Sequence, residues 1–232
     1  MMNVLLFGAT GMVGQGVLRE CLLADDVARV VTIGRRASGV QHPKLREIVQ
    51  SDLLDYRALE DELRDIDACF FCLGMSSIGK DEDDYVRVTF DITLAAARAL
   101  VRANPRAKFV YVSGAGADST GGGPRMWARV RGRTENALLA MPFASVCVFR
   151  PGVIQPLYGA RSKTPLYHLF YVAFAPLFPL LKLLIPKQVS STASIGKAML
   201  EIARHGAPKA ILDTPDINEV ANGAMNGDVR AA

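Results

Sequence analysis

The first residues whose types and spacing could do chemistry are three glycines in Phe7-Gly8-Ala9-Thr10-Gly11-Met12-Val13-Gly14. They form a GxxGxxG pattern between an apolar run, Asn3 to Phe7, and a stretch from Gly11 to Leu23 whose apolar residues recur at helical spacing. A strand that turns tightly into a helix can bring backbone N–H groups up to a pyrophosphate, and the helix N-terminus favours the negative charge. Gly8 would allow the turn, Gly11 the close approach of backbone to ligand, and Gly14 the packing of helix on sheet. Thr10, Met12 and Val13 complete this loop. Glycines also occur in ordinary turns, so the strand–turn–helix setting is what points to a dinucleotide.

A second pair sits where such a site chooses its ligand. About 20 residues beyond the turn, a carboxylate would hydrogen-bond the adenosine ribose and select NAD. This chain has Ile33-Gly34-Arg35-Arg36 there instead. Two guanidinium groups can grip a 2′-phosphate in bidentate fashion, so NADP(H) is the expected cofactor and NAD(H) the lesser alternative. The competing reading is that Arg35 and Arg36 merely solvate a loop. Asp52-Leu53 and Leu73-Gly74 end the next two strands and are expected to border the adenine and ribose, because ligands of open α/β sheets lie outside the strands' carboxyl ends.

The elements that must position these residues alternate along the chain. After the first strand and helix come "VARVVTIGR" and "LREIVQSD" as strands, "YRALEDELRD" as a helix and "DACFFCLG" as a buried strand. A helix from about Asp83 to Arg102, the strand "KFVYVSG", a helix from about Arg125 to Leu139 and the strand "SVCVFRPG" follow. That alternation implies an α/β fold, a Rossmann-type doubly wound parallel sheet with helices on both faces and a small C-terminal helical lobe. Residues 1–212 are expected to form one domain with a lid insertion at about 155–190. The last twenty residues, rich in Asp, Asn, Gly and Ala, are expected to be a poorly ordered tail.

Composition narrows the partners. The 232 residues suffice for one sizeable core, and the net charge of +4, from 27 basic and 23 acidic side chains, is too mild and dispersed for nucleic acid. Cys21, Cys69, Cys72 and Cys147 lie in apolar runs, and Met1-Met2-Asn3 carries no secretory pattern, so reduced thiols in a cytoplasmic protein are expected. Cys69 and Cys72 match CxxC, but within an extended run residues three apart point to opposite faces. His42, His168 and His205 lack ligand spacing, and no metal is expected.

Taken in order, "GATGMVG", "SDLLD", "CLGMSS", "YVRVTFDITLAAARA", "VYVSGAGAD" and "VFRPGVIQP" resemble the short-chain dehydrogenase/reductase superfamily. More narrowly they resemble its atypical branch of NAD-dependent epimerase/dehydratase-like and TIP30-like proteins, over about residues 3–160. The resemblance implies a bound dinucleotide and a site at the ends of the fourth to sixth strands. It also implies a serine after the fifth strand, which Ser113 matches, and a Tyr-x-x-x-Lys pair on the next helix. There the chain departs from the pattern, because "MWARVRGRTE" offers Trp127 and Arg131. The family's Arg-Pro-Gly turn maps onto "FRPGVIQP", so the backbone at Pro151 to Val153 would face the nicotinamide carboxamide.

The substitution matters chemically. A tyrosine acid needs an O–H that a nearby cation brings toward neutrality; an indole N–H donates a hydrogen bond but does not titrate in that range. Arg131 keeps the cation but is no proton reservoir. Three readings stay open. In one, Trp127, Val130, Thr134 and Leu138 are the inward stripe of a helix, with Arg131 snorkelling beside it. In another, Ser113 or a water supplies the proton for an oxidoreductase or epimerase acting on a carbonyl or sugar-like substrate, and Arg131 holds the oxyanion. In the third, the chain is a non-catalytic dinucleotide-binding sensor or interaction protein. Tyr158 is a further phenol of undetermined direction.

The stretch from Leu166 to Ile185 is long and apolar, but His168, Pro176, Pro179 and Lys182 break it as a simple membrane span. It is expected to form part of the lid and a surface covered by self-association or by a peripheral membrane contact. Beyond it, "SSTASIGKAMLEIARHG" has Ile195, Met199 and Ile202 on one face and ends at Gly206 as a helix should.

Overall fold

The computed structural model describes residues 1–160 and 188–223. The stretch 166–185 and the membrane or self-association contact expected of it lie outside the described residues. So does most of the lid.

Strand β1 (Met2–Phe7) leads through the glycine turn into α1 (Met12–Leu23), followed by β2 (Val27–Gly34) and β3 (Leu45–Val49). A 3₁₀ turn, Arg57–Leu59, runs into the short helix α2 (Glu60–Arg64), and β4 (Ala68–Phe71) completes the first half. The second half comprises α3 (Glu82–Val86), a π-helical turn at Arg87–Asp91, α4 (Ile92–Ala103), β5 (Lys108–Val112), α5 (Met126–Leu139) and β6 (Ser145–Arg150). Then come β7 (Val153–Gln155), β8 (Val189–Ser191), α6 (Thr192–His205), β9 (Ile211–Asp213) and α7 (Thr214–Ala221).

Seven strands form a parallel sheet in the order β3-β2-β1-β4-β5-β6-β9, and β7 and β8 pair in a separate parallel ribbon. The order reverses direction at β1, whose neighbours are β2 and β4, and this is where a doubly wound sheet opens a crevice. Side chains alternate across the sheet with period two. Val4, Leu6, Phe70, Val110 and Phe149 join the core shared with α1, α6 and α7. Leu5, Phe7, Phe71, Phe109 and Tyr111 face the other side, toward α4 and α5. On that side the rings of Phe7 and Phe71 lie 5.0 Å apart and those of Phe71 and Phe109 5.9 Å apart.

Two expectations need correction. The helix expected at about 83–102 is divided by the π-helical turn, where the Thr89 carbonyl accepts from Thr93 Oγ1 at 2.7 Å and from Thr134 Oγ1 at 3.4 Å. The domain does not end at 212. Asp213 caps α7 in a capping box with Asp216, Pro215 enters at the first turn, and Ile217 and Val220 reach the core. A composition rich in Asp and Asn, read as disorder, is here helix-starting chemistry.

Candidate functional site

Register builds the crevice. Phe7 pairs with Ile33 on one side and Phe71 on the other, so Gly8, Gly34 and Cys72 emerge at one level at the carboxyl ends of β1, β2 and β4. Gly8 has φ +79°, and a Cβ there would stand 2.6 Å from the Cys72 carbonyl carbon. A Cβ on Gly14 would lie 2.0 Å from the Gly8 oxygen, and the Gly11 N–H donates to that oxygen at 2.8 Å. The turn therefore closes only with glycine at both positions. Gly11 is the N-cap of α1, no side chain caps the helix, and its first turn holds no acidic residue, leaving the positive end open to an anion.

The cleft above this turn has a volume of about 540 Å³. Gly8, Thr10, Arg35, Arg36, Leu53, Leu73 and Gly74, all expected at the cofactor site, line it. Thr32 and Ser51 line it as well, and sequence reasoning passed over both. Gly11, Met12, Val13 and Gly14 form the helix start behind the lining. Asp52 does not line the cleft, and its carboxylate accepts the Leu54 N–H at 2.9 Å. Pro151 and Val153 lie outside the cleft: the Pro151 carbonyl accepts from the Ala115 N–H at 3.0 Å, and Val153 pairs with Val189 in the ribbon. The lining holds no carboxylate, and Arg35 and Arg36 are exposed without an ion pair among the described residues. These residues fit a dinucleotide: a glycine cradle that any Cβ would fill, an unopposed helix N-terminus and two free cations.

A second group sits at the ends of β5 and β6. Ser113, buried, donates its hydroxyl proton to Glu135 Oε1. Arg150 donates to the same carboxylate through Nε, at 3.2 Å to each oxygen, and through Nη2. The pKa of Arg150 is raised, first by this hydrogen bonding to Glu135. Glu135 is fully buried on α5, one residue along from the apolar stripe Val130, Thr134 and Leu138. Sequence reasoning missed it. The available signal was a glutamate on the inner side of an amphipathic helix together with an arginine at the end of an apolar strand, each in need of a partner.

Arg131 takes a different direction from a snorkelling side chain. Its Nε donates to the Tyr85 hydroxyl at 3.0 Å. Its Nη2 lies 3.9 Å from where a Gly74 Cβ would stand, and its Nη1 3.7 Å from that of Gly114. The guanidinium thus fills the space between the ends of β4 and β5. Burial works against its charge, but the phenols of Tyr111 and Tyr85 outweigh this and its pKa is raised. The Tyr111 phenol is itself pushed up to about 12 by burial, against the pull of Arg131. Trp127 is half-buried, its indole 3.4 Å from the Cβ position of Gly116. Val130, Thr134 and Leu138 are buried as expected of the inward stripe. Tyr158 turns away, its ring stacked on the Arg19 guanidinium at 3.7 Å.

This sheet order and glycine turn define a Rossmann-type dinucleotide-binding protein. The chain belongs to the NAD dependent epimerase/dehydratase family, whose model matches residues 4–124. It is 32% identical over 170 residues to "Protein fmp52-1, mitochondrial" of Aspergillus terreus, covering 71% of this chain and 70% of that one. It is 29% identical over 155 residues to "Protein HTATIP2" of Rattus norvegicus, covering 66% and 62%. Among solved structures, the Bordetella bronchiseptica enzyme WbmF in complex with NAD+ superposes with a TM-score of 0.68 at 17% identity, covering 98% of this chain and 79% of that one. The expectation of a cytoplasmic protein is corrected by the relatives, since the fungal ones are named mitochondrial. Buried, reduced thiols suit any reducing compartment and so could not specify one.

Proposed function

We propose that this protein binds NADP(H) in preference to NAD(H) and acts as an oxidoreductase or epimerase on a small carbonyl or sugar-like substrate. One observation carries the cofactor preference: Arg35 and Arg36 stand exposed at the end of β2, unpaired among the described residues, on a cleft lined by no carboxylate. The nicotinamide, when bound, would supply hydride transfer. The chain's own part is to hold the pyrophosphate at the Gly8–Gly14 turn, grip the 2′-phosphate with the arginine pair, and present the Arg131 cation where negative charge develops on the substrate. The test is calorimetric titration with NADP+ and NAD+. Arg35→Asp should weaken NADP+ by about tenfold or more, the worth of a charge-assisted pair, while NAD+ changes little. Equal loss for both nucleotides would reduce Arg35 to a loop charge.

A non-catalytic dinucleotide-binding regulator is the second reading, and Ser113 favours it. Its hydroxyl proton is committed to Glu135, while the tyrosine position holds an indole, so neither residue supplies a titrating acid. NADPH consumption with aldehydes and ketones, together with epimer formation from sugar nucleotides, which returns the hydride and consumes no cofactor, separates the two readings. Steady turnover supports the enzyme, and tight binding without turnover supports the regulator.

A further inference from the structure

We propose that Arg131, aimed by Tyr85, forms a subsite for a carboxylate group of the substrate at the inner end of the dinucleotide cleft. The location rests on the dinucleotide reading above; the chemistry rests on the arginine's own surroundings.

The Nε–H is spent on the Tyr85 hydroxyl at 3.0 Å, and this one bond fixes the plane of the guanidinium. The four N–H groups on Nη1 and Nη2 have no acceptor among the described residues, and no carboxylate lies within ion-pair distance of the side chain. The nearest acidic candidate on its own helix, Glu135, is already held by Arg150 and Ser113. Tyr85 from α3 and Tyr111 from β5 lie beside the cation, and with the Glu135 carboxylate beyond ion-pair distance they favour its charged form. The Nη groups lie against Gly74 and Gly114, 3.9 and 3.7 Å from where their Cβ atoms would stand, and Gly74 itself lines the cleft.

A partly buried cation with an open, planar pair of donors calls for a planar anion that accepts two parallel hydrogen bonds. A ribose diol could occupy the donors but would leave the charge uncompensated. A carboxylate does both. Tyr85 is then a positioning residue. Its work is to hold Nε so that the Nη edge, and not the Nε edge, meets the ligand.

The experiment titrates NADP+-loaded protein with acetate, pyruvate and benzoate, each beside its neutral methyl ester, with nucleotide affinity measured separately for every variant. At least one acid should bind about tenfold or more tightly than its ester, the worth of one charge-assisted pair. Arg131→Met should erase that ratio with NADP+ affinity retained, and Arg131→Lys should restore only part of it, since the ammonium lacks the fork. Tyr85→Phe, which keeps the packed ring, should weaken the acid several-fold and leave the ester unchanged. Equal binding of acids and esters, binding of neither, or a loss confined to NADP+ in Arg131→Met would each overturn the subsite. Failure of the wild type to bind either nucleotide would sink the dinucleotide reading instead, and the same titration on unloaded protein still decides the subsite.

Discussion

The hydroxyl of Ser113 at the end of β5 donates to the carboxylate of Glu135 on α5, and Arg150 at the end of β6 holds that same carboxylate from the other side. The helix that carries Arg131 is thereby fixed to the two strand ends it overhangs. Glu135→Ala removes the anion and leaves the Arg150 charge without its partner, which should cost about 3 kcal/mol. Glu135→Gln keeps the shape and an acceptor and should cost about half as much. Ser113→Ala should cost about 1 kcal/mol, because Arg150 still satisfies the carboxylate. Urea unfolding of the three variants checks the order; a Ser113→Ala loss as large as that of Glu135→Ala would refute it.

The glycines separate into those that meet backbone and those that meet space. A Cβ on Gly14 would lie 2.0 Å from the Gly8 oxygen, and one on Gly132 would lie 1.8 Å from the Asp118 oxygen. Neither contact can be relieved by turning a side chain. Gly39, at φ +80°, has nothing within 4 Å of its Cβ position. Gly14→Ala and Gly132→Ala should each cost about 3 kcal/mol or prevent folding, whereas Gly39→Ala should cost only about 1 kcal/mol of backbone strain. Gly14→Ala should abolish nucleotide binding as well. Thermal melts and nucleotide titration measure both effects, and Gly14→Ala protein that melts and binds like the parent would contradict the turn described here.

Sequence periodicity and the glycine turn were enough to read the sheet, because a parallel strand buried on both faces and an amphipathic helix leave signatures within a few residues. Gly8, Arg35 and Gly74 were placed by the same reasoning, from their positions at strand ends, and all three line the cleft. Glu135 and Tyr85 were not. Their partners lie 22 and 46 residues away in sequence, and only the registration of α5 over β5 and α3 brings them together. Asp52 does not line the cleft, and a local turn commits its carboxylate to the Leu54 N–H, a contact that spacing alone does not show.

Cys72 lines the nucleotide cleft and is half-buried, whereas Cys21, Cys69 and Cys147 are buried, and burial raises the pKa of all four, that of Cys147 to about 12. The thiolate is the reactive form. Native protein at about pH 8 should therefore react slowly with a thiol-specific disulfide reagent, and all four groups should titrate at once after denaturation. Rapid modification of one native thiol, suppressed by added NADP+, would show that Cys72 is open to the cleft and ionises there.

At the opposite end of the sheet, Arg204 in the last turn of α6 grips Asp26, donating from Nε at 2.8 Å and from Nη2 at 2.6 Å. Hydrogen bonding to Arg204 is the main reason the Asp26 carboxyl lies below its ordinary value of 3.8. A carboxylate whose pKa falls on folding stabilises the native state above the unfolded value, and that contribution disappears as pH drops through the folded one. Both side chains are partly solvated, so screening holds the pair to about 0.5 kcal/mol. Asp26→Asn should lower stability by that amount at any pH above about 5, and the difference from wild type should shrink toward zero below the ordinary carboxylate range. Nucleotide affinity should not change, because the pair lies at the amino ends of the strands. Urea midpoints collected from acid to neutral pH give the test, and a difference that grew on acidification would reverse the assigned sign.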